Sequence, residues 1–236
     1  MAGSGHVSEE KNQEKHQSKA KDQHPMTQIA TRSLFENQDV RVWEMDVGPG
    51  DTFGLHHHTN DYVLYITSGA NLKVDEKEVG TWDFIGHERS VFYLKAGGTE
   101  SFRNVSATRF GEALIEIKRP PRPGQDRAGF TCCEALVDAP DRAGSICVME
   151  NDRMRVIETT LPPGQGLGMH RCDSDAAVFV VQPGKVKVVE RAGAGAEQVK
   201  QETRNARDVC WQPGGVERDL VNVGSSLYRE VSVEVK

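Results

Sequence analysis

Short runs of alternating polar and apolar residues recur along most of the chain. Clear examples are DVRVWEMDV at residues 39–47, KVKVVE at 185–190 and VSVEVK at 231–236. Glycine, proline, asparagine and aspartate interrupt these runs every several residues, and no long stretch has the period of an amphipathic helix. We therefore predict an all-β protein of short antiparallel strands, arranged as small barrels or sandwiches.

The pattern of the first half of the chain is repeated in the second half. Residues 37–58 align with residues 151–172 at a constant offset of 114, and GGTE at 97–100 aligns with GGVE at 214–217. The offset drifts to 118 by the end, which a few inserted loop residues explain. The matched pairs include Asn37/Asn151, Arg41/Arg155, Glu44/Glu158, Gly50/Gly164, Gly54/Gly168, His56/His170, Asn104/Asn222 and Lys118/Lys236. A tandem duplication predicts two barrels of one topology.

The chain divides into four segments on this basis. Residues 1–30 are polar and lack hydrophobic periodicity, so they cannot bury enough apolar surface to fold and are predicted to be a disordered tail. Residues 31–118 form the first predicted barrel and residues 130–236 the second. Between them, RPPRPGQDRAG at 119–129 has three prolines and no apolar face, as expected of a linker.

Composition and charge narrow the range of partners and compartments. The net charge is −6, which disfavours binding to nucleic acid or to an anionic membrane surface. No apolar run is long enough to span a membrane, and the first residues lack the core of a signal peptide. Five cysteines without a regular spacing favour a reduced, cytoplasmic compartment. We expect a small-molecule substrate, and a homodimer as one way to cover open sheet edges.

The main chemical motif is GLHHHTNDYV at residues 54–63. Alternate side chains of a strand point to opposite faces, so His56, His58 and Tyr62 share one face, while His57 faces the other way and is predicted to be structural. Two imidazoles at positions i and i+2 on an inward face can bind one divalent cation. The alternative is that the three histidines are a solvated strand end.

A longer spacing pattern surrounds these histidines. The first part reads Gly50, five residues, His56-x-His58, three residues, Tyr62, six residues, Gly69. The second part reads Lys95-Ala96-Gly97, two residues, Glu100, three residues, Asn104. These two parts resemble the two motifs of the cupin superfamily, and the first half is similar to small one-domain bacterial cupins. With its second copy the chain resembles a bicupin, which implies two tandem cupin-type antiparallel β-barrels of the jelly-roll kind.

The first copy departs from the cupin pattern at two positions. Tyr62 stands where the first motif has a glutamate, and Glu100 stands where the second motif has a histidine. The resemblance therefore implies that His56, His58 and Glu100 bind a divalent transition metal: iron, manganese, zinc or nickel. Two histidines and one carboxylate are also the ligands of facial-triad iron sites, which leave positions open for substrate and dioxygen.

Two of these residues have alternative interpretations. Tyr62 is a weak fourth ligand, a hydrogen-bond donor to substrate or a wall residue, and a neutral phenol is a poor ligand unless the metal acidifies it. Glu100 is either a ligand or a carboxylate that faces solvent or pairs with Arg103. As catalytic residues we predict Tyr62, which would orient or protonate the substrate, and Glu100.

The second copy keeps fewer of these side chains. Its His-x-His is His170-Arg171-Cys172, and the glutamate position falls on Ala176 or Ala177. The position of Glu100 falls on Glu217 or Arg218, because the place of one inserted residue is ambiguous. We interpret this half as degenerate and metal-free. The alternative is a partial site of His170, Cys172 and Glu217.

These patterns lead to two hypotheses for function. The first is a metal-dependent small-molecule enzyme with its site in the first barrel, with oxygen-dependent cleavage of a small carbonyl or carboxylate compound as the leading reaction. A lyase or isomerase that uses the metal as a Lewis acid is the other reaction of this hypothesis. The second is a non-catalytic bicupin that binds a small ligand or serves a structural role.

Overall fold

A computed structural model describes residues 28–123, 125, 131–133, 143–193 and 195–236. Its first nine strands are β1 (Arg32–Glu36), β2 (Val40–Val47), β3 (Thr52–His57), β4 (Asp61–Ser68), β5 (Ala70–Glu76), β6 (Gly80–Gly86), β7 (Val91–Leu94), β8 (Thr99–Asn104) and β9 (Phe110–Ile117). The others are β10 (Thr131–Cys133), β11 (Gly144–Glu150), β12 (Met154–Leu161), β13 (His170–Cys172), β14 (Asp175–Gln182), β15 (Gly184–Arg191), β16 (Gln198–Arg204), β17 (Val209–Gln212), β18 (Val216–Asn222) and β19 (Tyr228–Val235).

All regular elements of the described residues are strands. These residues contain no helix that is long and apolar enough to cross a membrane. The predicted disordered tail at 1–30 lies almost entirely outside the described residues, and so does part of the predicted linker at 119–129.

Each half of the chain forms two antiparallel sheets with the same strand order. The first half has β2-β9-β4-β7 in one sheet and β3-β8-β5-β6 in the other. The second half has β12-β19-β14-β17 and β13-β18-β15-β16. β1 and β11 extend the larger sheets beside β2 and β12, and β10 pairs with β7 of the first half. This topology confirms the predicted all-β fold of two tandem antiparallel barrels.

A buried asparagine closes the same turn in both barrels. Asn104 donates from its side-chain amide to the carbonyls of Val47 and Thr108, and its side-chain oxygen accepts from the Ser106 amide. Asn222 makes the equivalent bonds to Leu161, Ser226 and Gly224 in the second barrel. Because buried backbone groups must find partners, these side chains hold the turn after β8 to the end of β2, and the turn after β18 to the end of β12.

The larger sheets of the two halves also pack on each other. One cluster of buried side chains includes Val63 and Tyr65 of β4 together with Val156, Phe179 and Val231 from the second half. The neighbouring residues of β4, such as Tyr62 and Ile66, belong to a separate cluster inside the first barrel. The sheet that contains β4 is therefore covered on both faces, one by its own barrel and one by the other barrel.

A buried ionic cluster crosses the contact between the halves. Glu158 of β12 is 2% exposed, and it accepts hydrogen bonds from the Tyr65 hydroxyl at 2.6 Å and from Arg89 Nε at 3.1 Å. Arg229 Nε lies 3.7 Å from the same carboxylate. Removing one member of a buried ion cluster leaves the opposite charge without compensation, so Glu158 is a strong constraint on how the halves dock.

We expect Glu158→Gln to lower the free energy of unfolding by about 3–5 kcal/mol, because a buried carboxylate that faces Arg89, Arg229 and the Tyr65 hydroxyl loses its charge. Urea unfolding followed by tryptophan fluorescence measures this loss. Glu36→Gln is the matched control, since its pairs with Arg41 and Lys118 are exposed to solvent and it should have a much smaller effect. Equal effects of the two variants would show that the cluster does not hold the halves together.

Candidate metal centre

Pairing between β3 and β8 brings His56, His58 and Glu100 to one place. His56 lies directly opposite Glu100 in the ladder. Beyond the last ladder pair, the His58 amide donates to the Gly98 carbonyl at 2.9 Å and the Gly97 amide donates to the His58 carbonyl at 2.8 Å. This keeps the chain extended past the end of β3, so His58 points to the same side as His56.

The potential ligand atoms of these three side chains lie within 4.8 Å of one another. Glu100 Oε1 is 3.8 Å from His56 Nε2 and 3.6 Å from His58 Nε2. Both histidines are buried, and the Glu100 side chain is 19% exposed. Arg103 donates instead to the Gly50 carbonyl, so the carboxylate lies beside the histidines, as the metal-site interpretation expects.

The environment of His56 favours the neutral imidazole that a metal needs. Its Nδ1 lies 2.9 Å from the Gly54 carbonyl, which can only accept, so Nδ1 carries the proton and Nε2 presents a lone pair to the cluster. Burial lowers the pKa of His56, and the nearby His58 lowers it further, while the Gly54 carbonyl and the Glu100 carboxylate oppose this. Neither ring nitrogen of the buried His58 has a hydrogen-bond partner among the described residues.

Tyr62 contacts this cluster through its ring. The ring stacks on the His58 imidazole, with centroids 4.0 Å apart and planes 11° from parallel. Burial raises the pKa of Tyr62 well above 10, and the negative charges of Glu100, Glu112 and Glu76 raise it further. Tyr62 therefore remains a phenol that can donate a hydrogen bond, which disfavours its role as an anionic ligand.

A small cavity of about 50 Å³ adjoins the three side chains. Its walls are mainly apolar, with Phe102 and Phe110 among them. Two polar groups that the sequence did not suggest also line it. One is the fully buried Glu112 of β9, and the other is Trp82, whose buried Nε1 has no partner among the described residues. Burial, and secondly the charge of Glu100, raise the pKa of Glu112 to about 8.

His57 has the separate role that strand alternation predicts. Its Nδ1 lies 2.8 Å from the Thr99 hydroxyl, on the face of β3 opposite to His56 and His58. His57 is therefore adjacent in sequence to His56 and His58, but its side chain lies outside their cluster with Glu100.

The second barrel places different chemistry at the same positions. His170 lies opposite Arg218 in the β13–β18 ladder, so Arg218, not Glu217, is the counterpart of Glu100. Ala176 holds the place of Tyr62, since each pairs with the equivalent residue of the last strand. A hydrogen bond with Cys172 and one with the Gly168 carbonyl raise the pKa of His170 to about 9, which favours its protonated form. A guanidinium and a protonated imidazole oppose cation binding here, and the metal-free interpretation of this half stays a prediction.

Comparison with known proteins adds information on the fold. No family model and no curated protein matches the sequence. AerE from Microcystis aeruginosa matches in structure with a TM-score of 0.64 and 13% identity, over 86% of this chain and 90% of its own. An oxalate decarboxylase matches with a TM-score of 0.65 and 12% identity, over 84% of this chain and 69% of its own. The Bacillus subtilis oxalate decarboxylase, studied for its Mn(II) centres, matches with a TM-score of 0.62 and 13% identity, over 85% of this chain and 70% of its own. The chain therefore shares the overall fold of these proteins over most of its length.

Proposed function

We propose that the first barrel is the active site of a metal-dependent enzyme that acts on a small organic molecule. The observation that carries this proposal is the convergence of His56, His58 and Glu100 beside a small, mainly apolar cavity. Two imidazole nitrogens and a carboxylate oxygen suit iron, manganese, zinc or nickel. The buried His58 also fits a metal, because its Nε2 faces Glu100 and has no hydrogen-bond partner among the described residues.

A bound metal would supply a Lewis acid for a carbonyl or carboxylate oxygen, or open positions for dioxygen. The Mn(II) centres of the structurally similar oxalate decarboxylase support manganese as the first metal to test, and its substrate supports a small carboxylate. The cavity volume of about 50 Å³ supports the same conclusion, because it accommodates only a few non-hydrogen atoms.

The other cavity residues provide positioning and proton transfer. The Tyr62 phenol and the Trp82 indole N–H are donors that can orient an oxygen of the substrate. Glu112 is largely protonated at neutral pH, so it can give a proton to the reacting molecule and take one back. The apolar walls exclude bulk water from these exchanges. Oxygen-dependent cleavage is the leading reaction, and metal-assisted lyase or isomerase chemistry is the alternative.

A non-catalytic module is the second candidate function. It is favoured by the second barrel, where Arg218 and Ala176 replace the positions of Glu100 and Tyr62. Since the second barrel has lost the side chains of the candidate metal centre, the first barrel could likewise bind a ligand without catalysing a reaction. Metal content and turnover separate the two candidates.

We expect tag-free protein to contain about one transition metal per chain by elemental analysis. His56→Ala and Glu100→Ala should each lower that content at least about tenfold, because each removes one of three ligands. His57→Ala is the matched control, since it removes the neighbouring imidazole from the opposite face. Tyr62→Phe should also keep the metal, because the phenol stays protonated and is a poor ligand.

Metal content that is equal in the His56, Glu100 and His57 variants would place the metal elsewhere. A wild-type chain that stays metal-free after reconstitution with all four metals would contradict the enzyme proposal and favour the binding module.

Turnover is expected for metal-loaded protein with carboxylates and keto acids of roughly two to four carbons, followed by NMR with and without dioxygen. Tyr62→Phe and Glu112→Gln should lower kcat at least about tenfold at unchanged metal content, because they remove a donor and a proton carrier. Dioxygen-independent turnover would identify the lyase or isomerase alternative. Full metal content without turnover of any compound would contradict catalysis.

The stability of metal-free protein should fall as pH rises from about 4.5 to about 8, because folded Glu112 keeps a proton that the unfolded chain releases. Glu112→Gln cannot ionise and should therefore be more stable than wild type by on the order of 2–4 kcal/mol at about pH 9. Urea unfolding of both proteins at about pH 5 and about pH 9 measures this difference. Parallel pH dependence of the two proteins would show that Glu112 ionises normally.

A further inference from the structure

The interior of the second barrel contains a much larger cavity than the first. Its volume is about 400 Å³, against about 50 Å³ around the candidate metal centre. The registers of the strands explain the difference, because smaller side chains replace larger ones at equivalent positions. The replacements are Leu167 for Phe53, Leu220 for Phe102, Thr159 for Met45, Ser232 for Leu114 and Ala176 for Tyr62.

The charge at the centre of this site is also reversed. Arg218 lines the cavity opposite His170, where the first barrel has Glu100 opposite His56. The Arg218 side chain is only 6% exposed. Its Nε and Nη2 donate to one oxygen of Glu190, while its Nη1 is buried without a hydrogen-bond partner among the described residues. A buried cationic donor without an acceptor is costly, so an added anion would complete it.

The remaining walls suit an organic anion better than an inorganic one. Ser145 and Thr159 bond to each other at one wall, while Leu167 and Leu220 form an apolar part. The acidic groups of the cavity are already paired with arginines. Glu230 accepts from Arg204 at 2.7 Å, and Glu234 lies 3.4 Å from Arg155. Arg155 and Arg171 are the other arginines of the lining, and Arg171 pairs with Asp173.

We propose that the second barrel is a binding site for a small organic carboxylate, which Arg218 holds beside His170. A carboxylate is planar and matches the fork of N–H donors that a guanidinium presents. The apolar walls then contact the carbon skeleton of the ligand. This inference does not depend on the metal centre, because it uses only residues of the second barrel.

Isothermal calorimetry on the metal-free full chain tests the proposal at constant ionic strength. The probes are acetate, malonate, succinate and benzoate, with succinamide as the uncharged counterpart and inorganic phosphate as a non-planar oxyanion. We expect at least one carboxylate to bind at about one per chain with a Kd below about 1 mM, and neither succinamide nor phosphate to bind as tightly.

Three variants locate the binding. Arg218→Met should weaken it at least about tenfold, because the guanidinium is lost. Ala176→Tyr should abolish it by placing in this cavity the side chain that the first barrel has there, while the Arg218–Glu190 pair stays intact. Arg191→Met is the charge-matched control and should change the Kd less than about twofold, since Arg191 pairs with Glu197 and Glu217 outside the cavity lining. Circular dichroism and thermal unfolding confirm that each variant is folded.

Several results would overturn the proposal. One is the absence of binding by every carboxylate at about 10 mM. Another is binding that persists in both Arg218→Met and Ala176→Tyr, which would place the ligand elsewhere. A third is phosphate binding as tight as that of the best carboxylate, and a fourth is stoichiometric zinc binding lost in Cys172→Ser, which would make the site a metal site.

Discussion

The antiparallel register between β3 and β8 is the constraint on which the candidate site depends. It places His56 opposite Glu100, and the bonds between His58 and the Gly97–Gly98 turn keep His58 on the same face. A shift of one residue would turn each of these side chains to the other face of its strand. The site is therefore a property of backbone pairing, and the buried Asn104 turn behind it holds that pairing.

The same register gives opposite electrostatics in the two barrels. In the first, a carboxylate between two buried histidines attracts a cation, and large aromatic side chains leave little space. In the second, Arg218 at the equivalent position opposes a cation, and smaller side chains leave a polar cavity. The duplicated backbone has thus kept its geometry while side chains at a few inward positions changed the charge and volume that it encloses.

The contact between the barrels buries the sheet that contains β4 and β9 on both of its faces. Along β4, Tyr62 and Ile66 face the interior of the first barrel, while Val63 and Tyr65 pack on the second half. Along β9, Leu114 faces inward and Ile115 faces the other barrel. Because close-packed interiors deform little, a wall that is buried on both faces holds the cavity residues in place more firmly than a solvated sheet would.

The sequence by itself determined the strands, the duplication and the face shared by His56 and His58, because alternation of period two and a constant offset are local properties. It also pointed to Glu100, through the resemblance of residues 95–104 to the second cupin motif. The strand register was needed to decide whether Glu217 or Arg218 is the counterpart of Glu100 in the second barrel. The offset of 118 between Asn104 and Asn222 was a sequence signal for Arg218. Only the tertiary structure brought Glu112 and Trp82 to the cavity, because neither follows a motif and each reaches the site through sheet packing over long sequence distances.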